Sequence, residues 1–156
     1  MVTEPKKLLT DFAAAIAPHR VDVEHESCPA PHRGQKLAEG KCAVYVFSLS
    51  EKYGSATQAG AHRVLKIGKA GSKSNARFQS QHYNAGSAPS TLSGSLMRTQ
   101  VLWSYLGVES VDEGDARRWI EENTDRDNFY LAAADEEMLR LLETFLKGRL
   151  GPVFEG

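Results

Sequence analysis

The segment KCAVYVFSL, residues 41–49, restricts the fold of this chain more than any other feature. β-branched and aromatic residues follow one another here almost without a polar break, a composition that is typical of strands. Strands with one solvent-facing side alternate apolar and polar residues, whereas strands covered on both faces form nearly continuous apolar runs. The segment therefore predicts a strand that is buried on both faces of its sheet.

The segments around this strand predict a small α/β domain of the α+β kind. RVLKIG at 63–68 predicts a second strand that forms a hairpin with the first, across a Gly- and Ser-rich loop at 51–61. DNFYLAA at 127–133 predicts a third strand. Apolar residues at helical spacing, with Gly or Pro at several boundaries, predict helices at 5–17, 74–84, 92–103, 112–122 and 135–150.

These elements give a small, mostly antiparallel three-stranded sheet flanked by helices, with an N-terminal helical extension. Residues 1–40 are expected to form the N-terminal helix and an irregular arm, because 18–40 carries several prolines and no apolar period. Residues 41–156 are expected to form the main domain.

The positive charge of the chain is concentrated in its middle, although the formal net charge is only −1. No Asp or Glu occurs between Lys52 and Val108, whereas the rest of the chain carries 12 basic and 20 acidic residues. A region this free of acids could bind a polyanion, or it could be a solvated charged surface, and charge alone leaves both readings open. The basic residues are Lys52, Arg63, Lys66, Lys69, Lys73, Arg77 and Arg98.

The two cysteines are too few for a disulfide framework and fit a reducing cytosol, so we expect a cytoplasmic protein. No apolar run approaches the length of a membrane span, so we expect no membrane association. His25, Cys28, His32 and Cys42 follow an uncommon spacing for zinc ligands in a segment without regular structure. We therefore do not expect a zinc site there.

Two triplets on the predicted hairpin, Ala-Val-Tyr at 43–45 and Lys-Ile-Gly at 66–68, are followed by the basic segment 66–84 and by LLETFLKGRLGPVFEG at 141–156. In this order the chain resembles the GIY-YIG nucleases, in which a hairpin carries both triplets, an Arg lies on the next helix and a Glu on a late helix. The stretch from Ile67 to Arg77 is similar to the nuclease half of bacterial excision-repair enzymes. The resemblance covers residues 41–156, with insertions around 85–125.

Three positions depart from the family pattern. Ala43 replaces the first Gly, Lys66 replaces the Tyr of the second triplet, and Phe154-Glu155-Gly156 stands where the family has an Asn after Pro152. These departures motivate an alternative, in which the chain is a catalytically impaired nucleic-acid-binding or regulatory module on the same fold.

The resemblance implies a metal-dependent endonuclease that hydrolyses phosphodiester bonds, with DNA expected rather than RNA and with Mg²⁺ or Mn²⁺ as the cofactor. Because no recognition domain is visible in the sequence, a protein partner could direct such an enzyme to its target. The resemblance implies Tyr45 for proton handling, Arg77 and Lys69 for the phosphate, and Glu143 for the metal. Lys66, which could take the place of the missing Tyr, and His82 are further candidates for proton handling, and Lys73 and Tyr83 are candidates for substrate contacts.

Each residue also has a simpler reading. Tyr45 could be a core tyrosine that only buries its ring, and Lys66 and His82 could be solvated surface residues. Glu143 borders a stripe of leucines, where an acid costs desolvation unless it is paired. In the simpler interpretation Glu143 forms an ion pair with Lys147 at i+4, and in the functional one it binds a divalent cation.

Overall fold

The computed structural model describes residues 2, 4–53, 64–88 and 90–154 of the chain. Most of the predicted loop at 51–61, together with Arg63 and the terminal Glu155-Gly156, lies outside the described residues.

A four-stranded antiparallel sheet forms the middle of the molecule. Its strand order is β1-β4-β2-β3, so that β2 is interior and β3 is an edge strand. Strand β2 is buried along nearly its whole length, which confirms the reading of its apolar run. The strands are β1 (Glu24–Cys28), β2 (Lys41–Leu49), β3 (Val64–Ala70) and β4 (Thr124–Ala132).

The prediction of three strands was wrong, because β1 lies in the segment 18–40 that was expected to be irregular. Its sequence, EHESC, has no apolar alternation, and only Cys28 is buried. An edge strand joins a sheet through its backbone and can keep polar side chains. Strand β4 also begins three residues earlier than predicted. The sequence did not indicate this start, because the first five residues, TDRDN, are polar, although the structure buries them.

Helices cover both faces of this α+β sheet. The predicted helix 74–84 divides into α2 and a 3₁₀ turn at Gln81–Tyr83, and the predicted helix 92–103 contains a second 3₁₀ turn at Gln100–Leu102. No helix within the described ranges has the length and apolar character needed to cross a membrane. The helices are α1 (Pro5–Ala15), α2 (Asn75–Gln79), α3 (Leu92–Arg98), α4 (Trp103–Leu106), α5 (Ala116–Asn123) and α6 (Glu136–Leu150).

Alternate residues of β2 enter two separate cores. Val44 and Val46 pack with α1 and α6, where Leu139, Leu142 and Leu146 form the buried stripe of α6. We call this side the α6 face. On the opposite side, which we call the α2 face, the other residues of β2 pack with α2 to α5. The residues on the α2 face include Tyr45, Phe47, Phe78, Leu96 and Ile120.

The segment after α6 covers the start of β3. Helix α6 ends at Leu150 and is capped by Gly151, whose φ of 55° suits glycine. The backbone N–H groups of Val153 and Phe154 then donate to the carbonyl groups of Val64 and Leu65, at 3.0 and 2.8 Å. Because these bonds occupy the first residues of the edge strand, the site described below lies at the following residues of β3.

Candidate active site

A pocket of about 330 Å³ lies at the edge strand β3. Its walls come from β3, from the turn after it, from α2 and from α6, which are far apart in sequence. Four of the predicted site residues therefore meet in one place, although they span nearly eighty residues of the chain. The pocket is lined by Lys66, Ile67, Gly68, Lys69, Gly71, Ser74, Arg77, Glu136, Leu139 and Glu143.

Glu143 lies between two lysines at one wall of this pocket. Its side chain is only 12% exposed, one carboxylate oxygen contacts the Lys69 ammonium, and the other is 3.2 Å from the Lys147 ammonium. Lys147 is the predicted i+4 partner, whereas the contact with Lys69 connects α6 to β3. Two cations thus compensate the partial burial of this carboxylate.

The two lysines of β3 that line the pocket point to opposite faces of the sheet. Lys69 pairs with Val44 and reaches the α6 face, which explains its contact with Glu143. Lys66 pairs with Phe47 and is 2% exposed on the α2 face, where its ammonium is 3.4 Å from the hydroxyl of Ser95. The edge strand therefore presents positive charge to the pocket from both sides.

Tyr45 reaches the edge of the sheet across Gly68, its cross-strand neighbour. A Cβ atom at Gly68 would lie 2.5 Å from the Tyr45 hydroxyl oxygen and 2.8 Å from two carbons of its ring. The phenol is fully buried on the α2 face. Gly68 and Arg77, which both line the pocket, lie next to its hydroxyl group.

The Tyr45 hydroxyl oxygen has two nitrogen neighbours. Nε2 of His82 is 2.5 Å away, and Nε of Arg77 donates to the oxygen at 3.4 Å. Nδ1 of His82 accepts a hydrogen bond from the backbone N–H of Leu92 at 3.1 Å. Because Nδ1 is the acceptor, the proton of the neutral ring is on Nε2, and His82 donates to Tyr45.

The charge state of His82 follows from its surroundings. Burial, with the positive charges of Arg126, Arg77 and Lys66, lowers the pKa of His82 to about 3, so its ring is neutral at pH 7. Burial raises the pKa of the Tyr45 phenol, whereas the Arg77 hydrogen bond and the charges of Arg77 and Arg126 oppose that rise. His82 is therefore a donor that stabilises negative charge on Tyr45 rather than a proton acceptor.

Four predicted residues, Tyr45, His82, Lys73 and Tyr83, do not line the pocket; of these, Tyr45 and His82 are connected to it through Arg77 and Gly68. Lys73 is exposed in the turn before α2. Tyr83 is fully buried, and its hydroxyl group lies 3.1 Å from Nη1 of Arg126 and 3.3 Å from Nδ1 of His32. Tyr83 therefore belongs to the core of the α2 face, and we do not retain it as a substrate contact.

Sequence reasoning missed Glu136 and Ser74 as pocket residues. Glu136 precedes Glu143 by seven residues, a spacing that places both carboxylates on one face of a helix. The helical period could therefore have indicated Glu136. Ser74 had no such signal, since its place in the pocket depends on the turn between β3 and α2.

The two histidines considered as zinc ligands contact other side chains instead, and the two cysteines considered with them are buried. Nε2 of His25 is 2.9 Å from a carboxylate oxygen of Asp127, and Nε2 of His32 is 3.1 Å from the hydroxyl oxygen of Thr124. Cys28 and Cys42 are free and buried. Among the described residues, no group of three or more His, Cys, Asp or Glu is placed to hold a metal ion.

The pocket lining offers two carboxylates, Glu143 and Glu136, as candidate ligands for a hydrated divalent cation. Mg²⁺ keeps several waters and is often bound through one or two carboxylates together with substrate phosphate. Glu143 presents such a carboxylate to the pocket, and Glu136 is a second acid in its lining. The ammonium groups of Lys69 and Lys147 now contact the two oxygens of Glu143, so a metal ion at that carboxylate would compete with both.

Two buried histidines predict an acid-sensitive fold. The pKa of His82 is lowered to about 3, and burial followed by the charge of Arg126 lowers that of His32 to about 4, from 6.5. Below pH 6.5 the unfolded chain binds protons that the folded chain does not, so the free energy of unfolding should fall as the pH falls. Each histidine should contribute a slope of about 1.4 kcal/mol per pH unit in that window.

Urea unfolding between pH 7.5 and 4.5 measures this effect. The His82→Gln variant should show a shallower slope than the unmodified chain, and His19→Gln, at an exposed position, is the control for replacing a histidine by glutamine. Equal slopes for all three proteins would contradict a neutral, buried His82.

Comparison with known proteins finds no matching family model, no matching curated protein and no matching solved structure. The functional reading of this chain therefore depends on the chemistry of its own pocket.

Proposed function

We propose that this chain is a metal-dependent endonuclease of the GIY-YIG kind, which hydrolyses phosphodiester bonds in nucleic acid, with DNA as the expected substrate. One observation carries the proposal: Glu143 and the cations Lys66, Lys69 and Arg77, from three separate elements, line one pocket. An anionic phosphate and a divalent cation together complement this set of charges. A cytoplasmic location and a protein partner that selects the target belong to the same proposal.

Arg77 binds the scissile phosphate in this mechanism. Its guanidinium group lines the pocket and is fixed from two sides, because Nε contacts Tyr45 and Nη2 donates to the Ser90 hydroxyl at 3.3 Å. A guanidinium held in place offsets the charge that develops on the phosphate oxygens in the transition state. Lys66 adds positive charge from the α2 face, and Lys69 does so when it leaves Glu143.

Tyr45 handles the proton of the attacking water. A phenol acts as a base only when its ionised form is stabilised, because its ordinary pKa is about 10. The N–H groups of His82 and Arg77 both point at the hydroxyl oxygen and favour that form. His82 is thus a positioning residue.

Glu143 would hold the metal ion. A Mg²⁺ or Mn²⁺ ion held there would supply Lewis-acid chemistry, that is, polarisation of the phosphate and compensation of charge on the leaving oxygen. Lys69 now contacts Glu143, and its ammonium could contact the substrate phosphate if a metal ion took its place at the carboxylate.

A second candidate function is a binding module without catalysis. It is favoured by the contacts of Glu143, since each of its oxygens is next to a lysine ammonium, and by the full burial of Tyr45. In that case the carboxylate only fixes Lys69 and Lys147, and the basic lining of the pocket binds phosphate without cutting it.

A cleavage assay separates the two functions. Supercoiled plasmid, single-stranded DNA and structured RNA are incubated with the protein in Mg²⁺, Mn²⁺ or EDTA. The nuclease should nick or cut at least one substrate with either metal and none in EDTA. Uncut substrates in every condition, together with binding that weakens steeply with salt, would overturn the nuclease and support the binding module.

A further inference from the structure

Arg126 is a large, fully buried side chain behind the pocket. It lies on β4 opposite Phe47 and is 1% exposed. Strand alternation places it on the α2 face, where its guanidinium carbon is 4.1 Å from the ring centre of Phe78, 5.4 Å from that of Phe47 and 5.5 Å from that of Tyr45. This residue fell in a polar segment from which the sequence predicted neither a strand nor a function.

The polar neighbours of Arg126 are neutral. Nε donates to the side-chain oxygen of Asn128 at 2.8 Å, and Nη1 donates to the hydroxyl oxygen of Tyr83 at 3.1 Å. Nη2 is buried without a hydrogen-bond partner, and within the described chain no carboxylate forms an ion pair with this guanidinium. A guanidinium group keeps its charge in proteins, so the core of the α2 face contains a positive charge without a counter-ion.

A buried charge without a partner lowers stability, and apolar residues can replace buried ions with a gain in stability. Packing alone would therefore favour an apolar residue at position 126, so a role that needs the positive charge would explain Arg126. An anion that forms transiently beside it would be stabilised strongly, because the interior screens charges poorly. Tyr45 is the aromatic neighbour of Arg126 whose hydroxyl also contacts the pocket-lining Arg77.

We propose that Arg126 is a positioning residue, which acts through Tyr45 as a buried positive charge that favours the ionised phenol during phosphodiester cleavage. This inference rests on the proposed function. The phenol first loses its proton to solvent. The phenolate then takes a proton from water as the water oxygen bonds to phosphorus. The bond from phosphorus to the leaving oxygen breaks, and that oxygen keeps the electron pair and takes a proton from solvent, which balances the proton that the phenol released.

The charged and titratable groups around Tyr45 come from every element packed near it. Arg77 on α2 and Arg126 on β4 favour the phenolate, and neutral His82 donates to it. Glu143 on α6 opposes its formation, and Lys66 on β3 adds positive charge near His82. Tyr83, whose hydroxyl oxygen accepts a hydrogen bond from Arg126, should also respond to the loss of that charge and is the positive control for the titration.

The test follows phenol ionisation directly and needs no catalytic activity. The chain has five tyrosines, so it is labelled with ¹³C at the phenol Cζ carbons, and the signals of Tyr45 and Tyr83 are assigned with Tyr45→Phe and Tyr83→Phe. Their titration is compared in the unmodified protein, in Arg126→Lys, and in the uncharged variants Arg126→Gln and Arg126→Met. Circular dichroism establishes which variants fold.

Loss of the charge should raise the pKa of Tyr45 by about one pH unit or more in the Gln and Met variants, and by much less in the Lys variant. In the uncharged variants the pH profile of cleavage should move to higher pH, like the pKa of Tyr45, and the cleavage rate at neutral pH should be roughly tenfold lower than in the unmodified protein. Two neutral variants are used because the apolar Met side chain can fill the stack against Phe78 if the Gln variant does not fold.

An unchanged Tyr45 titration in a folded, uncharged variant would overturn the proposal and leave Arg126 as a structural contact to Tyr83. A shifted titration in a chain that never cuts nucleic acid would support the electrostatic role and refute the nuclease. The two failures are therefore distinguishable.

Discussion

The Glu143→Gln variant is expected to cut nucleic acid roughly 10²–10³-fold more slowly than the unmodified chain, the cost of removing one electrostatic contact from a transition state. Glutamine keeps the shape of the side chain but removes the charge that would hold a divalent cation. The same change releases Lys69 from its carboxylate partner, so binding of uncut DNA should be retained or strengthened. Cleavage rates and binding constants are measured at one salt concentration.

The fold should tolerate this substitution. Lys69 and Lys147 are 39% and 29% exposed and can be hydrated when the carboxylate is lost, so the free energy of unfolding should change by about 1 kcal/mol or less. Glu137→Gln is the matched control, because Glu137 is exposed on the same helix and does not line the pocket. Normal cutting by Glu143→Gln would remove the metal assignment from this residue.

The apolar parts of the fold could be predicted from the sequence. The run at 41–49 and the leucine stripe of α6 have periods that follow directly from burial, and both elements lie where they were expected. Strand β1 and the start of β4 could not be predicted. Their residues gain stability from partners far away in the chain, such as His25 with Asp127 and Arg126 with Tyr83.

The members of the pocket were easier to predict than their contacts. The order of Lys66, Lys69, Arg77 and Glu143 along the chain indicated the set that lines it. The pairing of Lys69 with Glu143 depends on strand alternation and on the rotation of α6, which no local pattern encodes. The sequence also could not show that His82 donates to Tyr45, because this direction is determined by the backbone N–H group of Leu92, ten residues further along the chain.

The Gly68→Ala variant is expected to lose both stability and activity. The new Cβ would meet the Tyr45 hydroxyl oxygen at 2.5 Å, so the ring or the strand must move. The phenol end is held by His82 and Arg77, and a forced shift would break these contacts. Overpacking of this kind costs about 1–3 kcal/mol of unfolding free energy, and displacement of a reacting group by about 1 Å can slow a reaction roughly 10²-fold.

Gly148→Ala is the control that separates this collision from the general effect of an added methyl group. Gly148 lies within α6, and a Cβ there would meet nothing within 4 Å. Alanine should therefore raise the free energy of unfolding by about 0.5–1 kcal/mol, since it restricts the unfolded chain and favours the helix. Chemical unfolding and the cleavage assay are applied to both variants. If Gly68→Ala were as stable and as active as Gly148→Ala, the Tyr45 hydroxyl would not lie against Gly68, and Tyr45 could not have the role proposed for it.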